Sequence, residues 1–222
     1  MIYITGDTHA DFKRFENKIL KKLKKDDYLI ICGDFGFIWE NTKQENNILN
    51  RIGKFKFNTL FVDGTHENFD ILKSYEKVDF NGAKARHICG NLYQLLRGQV
   101  YNIDGKKIFT FGGGESPDKE IRIYMNNWWV DELPKINEMK TAVENLNRVE
   151  RKVDYIVTHE PPGTIKYLID GSDKGINTLN RFFDDVTKEV KFENWFFGST
   201  HINKEFTSKY ISIFDDIIKI EN

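Results

Sequence analysis

The sequence predicts an α/β protein, and two observations lead to that fold class. Short apolar runs alternate with amphipathic stretches through the first third of the chain, which is typical of a parallel sheet whose strands are joined by helices. From residue 91 the chain becomes β-rich, with Asp104-Gly105 as a hairpin turn signal, so we expect a second, antiparallel sheet to begin there. The protein should therefore combine two sheets with helices.

Each strand is predicted from a short apolar or alternating run that is bounded by turn residues. These runs are residues 1–5, 28–32, 59–62, 91–96, 99–103, 107–111, 155–158, 195–197, 204–207, 210–214 and 217–220. Residues 115–130 are polar, show neither the helical nor the strand period, and are expected to be irregular.

Helices are predicted where apolar residues recur at helical spacing. Between residues 12 and 24, the pattern of apolar residues suits an amphipathic helix, with Phe12, Phe15, Ile19, Leu20 and Leu23 as its apolar side chains. The remaining predicted helices are residues 44–52, 69–75, 134–151 and 176–190. Pro134 suits the first turn of the third of these, where a helix needs no backbone N–H.

Length and composition predict one cytoplasmic domain. A chain of 222 residues has the size of a single α/β domain, and no Pro/Gly/Ser-rich linker divides residues 1–222. The net charge of −1 gives no general attraction to nucleic acid or membranes and names no protein partner. Cys32 and Cys89 are too few for a disulfide framework. The first strand leaves no room for a signal peptide ahead of it, and no apolar run approaches the roughly 20 residues that span a bilayer.

Five short segments rich in histidine and aspartate each follow a predicted strand. They are Gly6-Asp7-Thr8-His9, Gly33-Asp34-Phe35-Gly36, Gly64-Thr65-His66-Glu67, Thr158-His159-Glu160-Pro161 and Gly198-Ser199-Thr200-His201. Open α/β sheets bind ligands at the carboxyl ends of their strands, where such segments converge. Carboxylate oxygen and imidazole nitrogen suit Mn²⁺, Fe or Zn²⁺, and two such ions can hold a phosphate for in-line attack.

In order and spacing, these segments resemble the calcineurin-like metallophosphoesterase family. Its pattern is Asp-x-His, Gly-Asp, Gly-Asn-His-Asp/Glu, a later His and Gly-His-x-His, and the match covers nearly the whole chain. The small bacterial and phage branch is the most similar one. The resemblance implies the family's fold, in which two mixed β-sheets are sandwiched and flanked by helices as four α-β-β-α layers.

The resemblance also implies a ligand for each metal. Asp7, His9 and His201 would hold the first ion, and Asp34 would bridge both ions. The second ion would take Asp34, His159 and two positions at which this chain has Thr65 in place of Asn and Ser199 in place of His. Because both replaced ligands belong to the second ion, we expect one strong metal site and a second metal site that is weak or empty.

The family's reaction implies roles for further residues. His66 would assist the leaving oxygen, and Glu67 would orient the His66 imidazole. Apart from the resemblance, Arg122 and Trp128 could form with Trp129 a lip that stacks on a substrate base, but packing in the core or an interface is the favoured interpretation of these large side chains. His87 lies outside the pattern and is expected to be structural or exposed.

The sequence thus leaves two functions open. The first is a metal-dependent phosphoesterase that uses a metal-activated hydroxide on a small phosphodiester or phosphomonoester, with a nucleotide-like substrate and Mn²⁺ favoured by resemblance. The alternative is an impaired member of the family that acts as a binding or scaffold protein, because Thr65 and Ser199 weaken one ion.

Overall fold

The computed structural model describes residues 1–220, which form thirteen strands and six α-helices. The strands are β1 (Ile2–Thr5), β2 (Tyr28–Ile31), β3 (Asn58–Phe61), β4 (Lys77–Phe80), β5 (Ala83–Cys89), β6 (Leu92–Leu95), β7 (Gln99–Ile103), β8 (Lys106–Phe111), β9 (Tyr155–Thr158), β10 (Asn194–Phe197), β11 (Lys204–Phe206), β12 (Tyr210–Ser212) and β13 (Ile217–Ile220). The helices are α1 (Lys43–Gly53), α2 (Phe69–Ser74), α3 (Lys119–Tyr124), α4 (Ile136–Arg148), α5 (Gly163–Asp170) and α6 (Thr178–Glu189). Short 3₁₀ helices cover Phe12–Glu16, Leu20–Lys22 and Val130–Glu132.

The strands form two mixed sheets. The first has seven strands in the order β13-β1-β2-β3-β6-β5-β4, and its four strands β1, β2, β3 and β6 run parallel. The second has six strands in the order β11-β12-β10-β9-β8-β7, of which β8, β9, β10 and β12 run parallel. In both sheets the antiparallel strands lie at the edges, so the carboxyl ends of the central strands meet at one end of the molecule.

Alternation along the strands builds three apolar layers. In β2, Leu29 and Ile31 pack with α1 residues such as Leu49, whereas Ile30 faces the second sheet. The outer face of the second sheet packs against α4, α5 and α6, where Phe183 contacts Trp195. Strands buried on both faces read as continuous apolar runs, which is why these strands stand out in the sequence. The layers are therefore α-β-β-α, and the expected fold class is confirmed.

The predicted helix 12–24 is wrong in type, because the segment forms two 3₁₀ helices separated by Asn17. Asn17 leaves the helical region with ψ 140°, and its side-chain oxygen accepts a hydrogen bond from the backbone N–H of Ile19 at 2.8 Å. Asparagine side chains commonly compete with helical hydrogen bonds in this way. Phe15, Leu20 and Leu23 are nevertheless buried, whereas Ile19 is exposed, so the apolar pattern identified most but not all of the side chains that meet the core.

The second sheet also differs from the prediction. Residues 91–96 contain β6, which joins the first sheet beside β3, and the second sheet begins only at β7. The second sheet is mostly parallel rather than antiparallel, since α4 and α6 carry the chain between β8, β9 and β10. The hairpin at Asp104-Gly105 is present between β7 and β8.

Two strands and two α-helices were absent from the prediction. The hairpin of β4 and β5 turns at Asn81-Gly82, where both residues have positive φ, and this dipeptide is a hairpin signal in the sequence. The helix α5 ends at Gly171 in the left-handed region, and α3 lies inside the segment expected to be irregular. Among residues 1–220, none of the helices combines the length and apolar character that crossing a membrane requires.

Candidate metal centre

The five histidine and aspartate segments lie together at the carboxyl ends of five central strands. β1, β2 and β3 of the first sheet and β9 and β10 of the second sheet each run directly into one segment. Backbone hydrogen bonds join two of these loops, since the N–H groups of Thr8 and His9 donate to the carbonyl oxygen of Asp34 at 3.1 and 2.9 Å. The sandwich therefore brings residues from positions 7 to 201 into one cluster.

Four ligand-type side chains form the tightest part of this cluster. One ligand atom from each of Asp7, His9, Asp34 and His201 lies within 4.8 Å of every other. The Nε2 atoms of His9 and His201 are 3.0 Å apart, and His201 Nε2 lies 3.2 Å from Asp7 Oδ2. Four converging atoms at these separations can surround a single cation.

The Asp7 carboxylate supplies a test of whether a cation fits there. Both of its oxygens are buried, and neither has a hydrogen-bond donor among the described residues. A buried carboxylate without partners is costly, because burial removes its hydration and nothing replaces it. A divalent ion among these four side chains would satisfy both oxygens, so the residues present fit a metal.

His159 lies on the other side of the two aspartates. It is 2 % exposed, and its Nδ1 and Nε2 atoms lie 3.6 Å from Asp7 Oδ1 and Asp34 Oδ1. Nδ1 is also 3.3 Å from the carbonyl oxygen of Cys32. Asp34 and His159, the two groups that the resemblance assigns to the second ion, thus adjoin one another.

Hydroxyl groups stand at Thr65 and Ser199, the two positions at which the resemblance places ligands of the second ion. Thr65 is buried, and its Oγ1 lies 3.4 Å from Asp34 Oδ1 and 3.1 Å from His66 Nδ1. Ser199 is half-buried and lines an open cleft of about 1170 Å³ that also contacts Glu160, Lys166 and Ile121. Thr65 therefore places a hydroxyl beside Asp34, and Ser199 lines a space large enough for an organic ligand.

His66 stands at the mouth of the cluster. Its Nδ1 lies 2.7 Å from Asp34 Oδ2, and its side chain is 40 % exposed. Its ring packs edge-on against His9, with 5.1 Å between the ring centroids. Asp34 therefore fixes the orientation of the His66 imidazole, while the exposed part of the ring can reach a ligand.

The expected contact between Glu67 and His66 is wrong. Both Glu67 oxygens accept hydrogen bonds from the backbone, one from Phe35 N–H at 2.8 Å and the other from Gly64 N–H at 3.0 Å. Burial, with Asp34 and Asp63 nearby, raises the pKa of Glu67 well above its usual value. Glu67 therefore ties the second and third loops together rather than orienting the imidazole.

The substitution Glu67→Gln tests this bridging role. An amide keeps one acceptor but turns an NH₂ group toward a buried backbone N–H, so we expect the free energy of unfolding to fall by about 1–3 kcal/mol. Urea denaturation of the metal-free protein measures this loss, and Glu144→Gln on the exposed side of α4 is the matched control. Unchanged stability in Glu67→Gln would contradict the bridging role.

Several backbone positions in the cluster are strained. The residues with φ between 38° and 52° are Asp34, His9, His201 and Ser199. The left-handed region costs a residue other than glycine about 1 kcal/mol or more, although Asp and His adopt it more readily than most residues. Strain of this kind is typical of functional loops, and here it falls on three of the four ligand-type residues and on the neighbouring serine.

Glycines before the motifs allow the loops to approach closely. A Cβ atom on Gly198 would overlap Asp7 Oδ1, and a Cβ atom on Gly64 would overlap Asp34 Oδ1. The Gly in the Gly-Ser-Thr-His and Gly-Thr-His-Glu segments is therefore required by contact with a carboxylate of another loop.

The electrostatics of the cluster favour positive charge. Burial would raise the pKa of Asp34, but the charge of His159 and the hydrogen bond from His66 hold it well below its usual range. Burial would lower the pKa of His159, but Asp34 and Asp7 raise it well above its usual value. The Asp7 carboxylate, with Oδ2 3.2 Å from Nε2, raises the pKa of His201, whereas burial lowers that of His9. The two aspartates thus create a field that draws a proton or a metal ion.

Arg122 and Trp128 do not form the exposed lip that the sequence suggested. Arg122 is 5 % exposed and its guanidinium donates to protein groups beneath the third loop, which corrects the expected substrate contact. Trp128 is half-buried, with the Lys119 ammonium 4.9 Å from its ring centroid. Trp129 donates to Asp70 at 2.8 Å and packs edge-on against Trp39. Contacts within the protein account for Arg122 and Trp129, and the substrate contact of Trp128 stays a prediction.

One functional neighbour was missed by the sequence reasoning. Arg14 donates to the carbonyl oxygen of Asp7 at 2.9 Å and of Phe214 at 2.5 Å, and the Phe214 ring packs on His201 with 4.9 Å between centroids. Arg14 therefore supports two of the ligand-type residues. No motif marks an arginine that donates to the backbone carbonyl of a residue 200 positions further along the chain.

Comparisons with known proteins agree with this geometry. Residues 1–203 match the family model of calcineurin-like phosphoesterases. Uncharacterized protein L509 of Acanthamoeba polyphaga mimivirus is 23 % identical over 90 % of this chain and 77 % of its own length. A Staphylococcus aureus crystal structure, described as a candidate 5′-nucleotidase in complex with α-ketoglutarate, superposes with a TM-score of 0.53 and 14 % identity. That match covers 95 % of this chain, which spans about half (48 %) of the Staphylococcus chain.

Proposed function

The chain belongs to the calcineurin-like phosphoesterase family, and we propose that it hydrolyses small phosphoesters with a divalent metal held by Asp7, His9, Asp34 and His201. The observation that carries this proposal is the Asp7 carboxylate, both of whose buried oxygens lack a partner inside a four-residue ligand cluster. A mixture of carboxylate and imidazole ligands suits Mn²⁺, Fe or Zn²⁺, and the resemblance to the family favours Mn²⁺.

A bound divalent ion would supply Lewis-acid polarisation of the phosphoryl group and a lowered pKa for a water. The protein's own contribution is positional. His66 Nδ1 is hydrogen-bonded to Asp34, so Nε2 is the ring nitrogen that can give a proton to the leaving oxygen. The exposure of the His66 ring allows a substrate to approach it.

We propose that the second metal position loads poorly. Asp34 and His159 adjoin there, but the other two positions hold the neutral hydroxyls of Thr65 and Ser199. A hydroxyl is a weaker ligand for a divalent ion than the amide oxygen or imidazole that the family carries. Loss of even an outer contact typically weakens metal binding by about 10 to 100-fold, so two ligand replacements should weaken it further.

A nucleotide-like phosphoester is the proposed substrate class. The cleft of about 1170 Å³ beside Ser199 offers room for a group much larger than phosphate. The Staphylococcus structure described as a candidate 5′-nucleotidase agrees in fold with such a substrate. The cytoplasmic location and the single domain over residues 1–222 remain predictions from the sequence.

The second candidate function is binding without turnover, in which the chain keeps the fold and one ion and acts as a scaffold. Thr65 and Ser199 favour the scaffold function, because the resemblance places both at ligand positions of the second ion, which the family uses in catalysis together with the first ion. Metal content measured together with hydrolysis separates the two functions.

The separating experiment uses metal-free protein that is reloaded with Mn²⁺ and given a bis-aryl phosphodiester. We expect about one tightly held ion per chain and hydrolysis that appears with Mn²⁺ and disappears with a chelator. His201→Ala should lose the ion and the activity, whereas His87→Ala should keep both, since His87 bonds only the carbonyl oxygen of Gly90. Bound metal without hydrolysis of this ester or of a nucleotide would favour the scaffold function.

A further inference from the structure

The helix α3 turns an arginine inward and its apolar side chains outward. Arg122 is its buried residue, whereas Ile121, Ile123 and Tyr124 are 63 %, 49 % and 88 % exposed. This inverts the usual amphipathic arrangement, in which the apolar face of a helix meets the core. Hydrophobic burial therefore does not explain the placement of α3. The contacts of Arg122 are what hold this helix in place.

All three guanidinium nitrogens of Arg122 donate to protein groups. Nε and Nη2 donate to the carbonyl oxygen of Asn127 at 3.2 and 3.0 Å. Nη1 donates to Ser116 Oγ at 2.5 Å, lies 3.4 Å from Glu132 Oε2 and donates to the carbonyl oxygen of Thr65 at 2.9 Å. Glu132 is fully buried, so the positive charge of Arg122 is paired.

The bond to Thr65 connects Arg122 with the metal centre through one peptide group. The carbonyl of Thr65 and the N–H of His66 belong to the same peptide, and that N–H donates to Asp34 Oδ1 at 2.8 Å. Hydrogen bonds arranged in series polarise one another, and charged end groups strengthen them. A guanidinium, a peptide and the Asp34 carboxylate thus form a continuous chain.

A second arginine secures the same loop from its other end. Arg97 donates through Nε and Nη2 to Asp63 Oδ2 at 2.9 and 2.6 Å, directly before Gly64. Arg97 Nη2 also donates to the carbonyl oxygens of Asp131 and Glu132 at 2.8 and 3.2 Å. Residues 116–132 are therefore tied to both ends of the loop that carries Thr65 and His66.

We propose that Arg122 is a positioning residue, which holds the Thr65–His66 peptide so that Asp34 and the His66 imidazole stand correctly for the metal centre. Arg122 acts through this peptide and does not touch the substrate. This inference rests on the proposed function for its effect on hydrolysis, but the peptide geometry and the metal affinity test it independently.

The test compares Arg122→Met with Arg122→Met combined with Glu132→Gln, so that the double variant carries no unpaired buried carboxylate. In metal-free protein we expect the His66 amide to exchange with solvent at least ~10-fold faster in both, because its peptide loses the arginine. Mn²⁺ affinity should fall by about 10 to 100-fold, the range typical of lost outer contacts. The kcat should fall while KM stays within about twofold, since binding of substrate does not involve Arg122.

Two control variants accompany these measurements. Glu132→Gln alone keeps the bond from Arg122 to Thr65 and should keep the exchange rate of the His66 amide. Arg148→Met removes an exposed arginine that bonds only Asn145, and it should leave metal affinity and kcat unchanged. Arg122→Lys retains one charged donor and should recover part of the Mn²⁺ affinity.

Unchanged His66 exchange and unchanged Mn²⁺ affinity in the double variant would overturn the proposal. A rise in KM of tenfold or more with full Mn²⁺ affinity would also overturn it, because that result assigns Arg122 to substrate contact. If the wild-type chain hydrolyses no phosphoester, the proposed function fails, while amide exchange and Mn²⁺ affinity still decide the role of Arg122.

Discussion

Asp34→Asn is expected to remove both the bound metal and the hydrolysis of phosphoesters. Asp34 Oδ1 accepts from the N–H groups of Thr65 and His66 at 2.6 and 2.8 Å, and asparagine keeps an oxygen that can accept both bonds. The substitution therefore preserves the loop but removes the charge that the resemblance assigns to both metal positions. Several kcal/mol of transition-state stabilisation depend on the ion, so hydrolysis should fall by about 10³-fold.

Mn²⁺ titration and steady-state hydrolysis measure this effect side by side. The matched control is Asp79→Asn, whose carboxylate is exposed and pairs only with Lys84 on the surface. Far-UV circular dichroism shows whether Asp34→Asn remains folded. Retention of Mn²⁺ affinity and activity in a folded Asp34→Asn variant would remove Asp34 from the centre of the site.

The second prediction is a gain of function. Thr65→Asn combined with Ser199→His restores the two ligand types that the resemblance assigns to the second ion, and we expect second-site Mn²⁺ affinity to rise by at least ~10-fold with a matching rise in hydrolysis. Ser199 lines the open cleft, so an imidazole has space there. Its backbone φ of 38° also suits histidine, which adopts the left-handed region more readily than most residues.

The control for this gain is Thr65→Val combined with Ser199→Ala, which removes both hydroxyls and adds no ligand. Each single restoring substitution should give a smaller gain than the double variant, because two ligands act on one ion. Metal content per chain and the rate with a bis-aryl phosphodiester are measured for all four variants. If the double variant gains neither metal nor rate, Thr65 and Ser199 do not border the second ion.

The sequence predicted the site better than it predicted the roles of its neighbours. Each His or Asp motif follows a short buried strand, and parallel strands place their carboxyl ends together, so Asp7, Asp34 and His201 could be grouped without coordinates. Glu67 and Arg122 were misassigned because their partners are backbone groups of distant loops, at Phe35 and Thr65. A backbone partner leaves no pattern of side-chain types in the sequence.

The same distinction explains the differences in the fold. The apolar runs of β1 and β2 identified buried strands because both faces of each are covered by protein. The neighbour of a strand is not encoded in its own composition, and for this reason residues 91–96 were placed in the wrong sheet. In the segment after Phe12, a single local bond from the Asn17 side chain outweighed a favourable helical period.

By itself, the sequence determined the α/β class, the family pattern and the two hydroxyl residues at ligand positions, because these depend on residue type and order along the chain. Only the tertiary structure decided that the Asp7 carboxylate is buried without a partner and that Glu67 joins two loops. It also decided that Arg122 lies beneath the metal loop rather than at its mouth. These facts depend on distances between loops far apart in sequence, and such distances exist only once the two sheets have packed together.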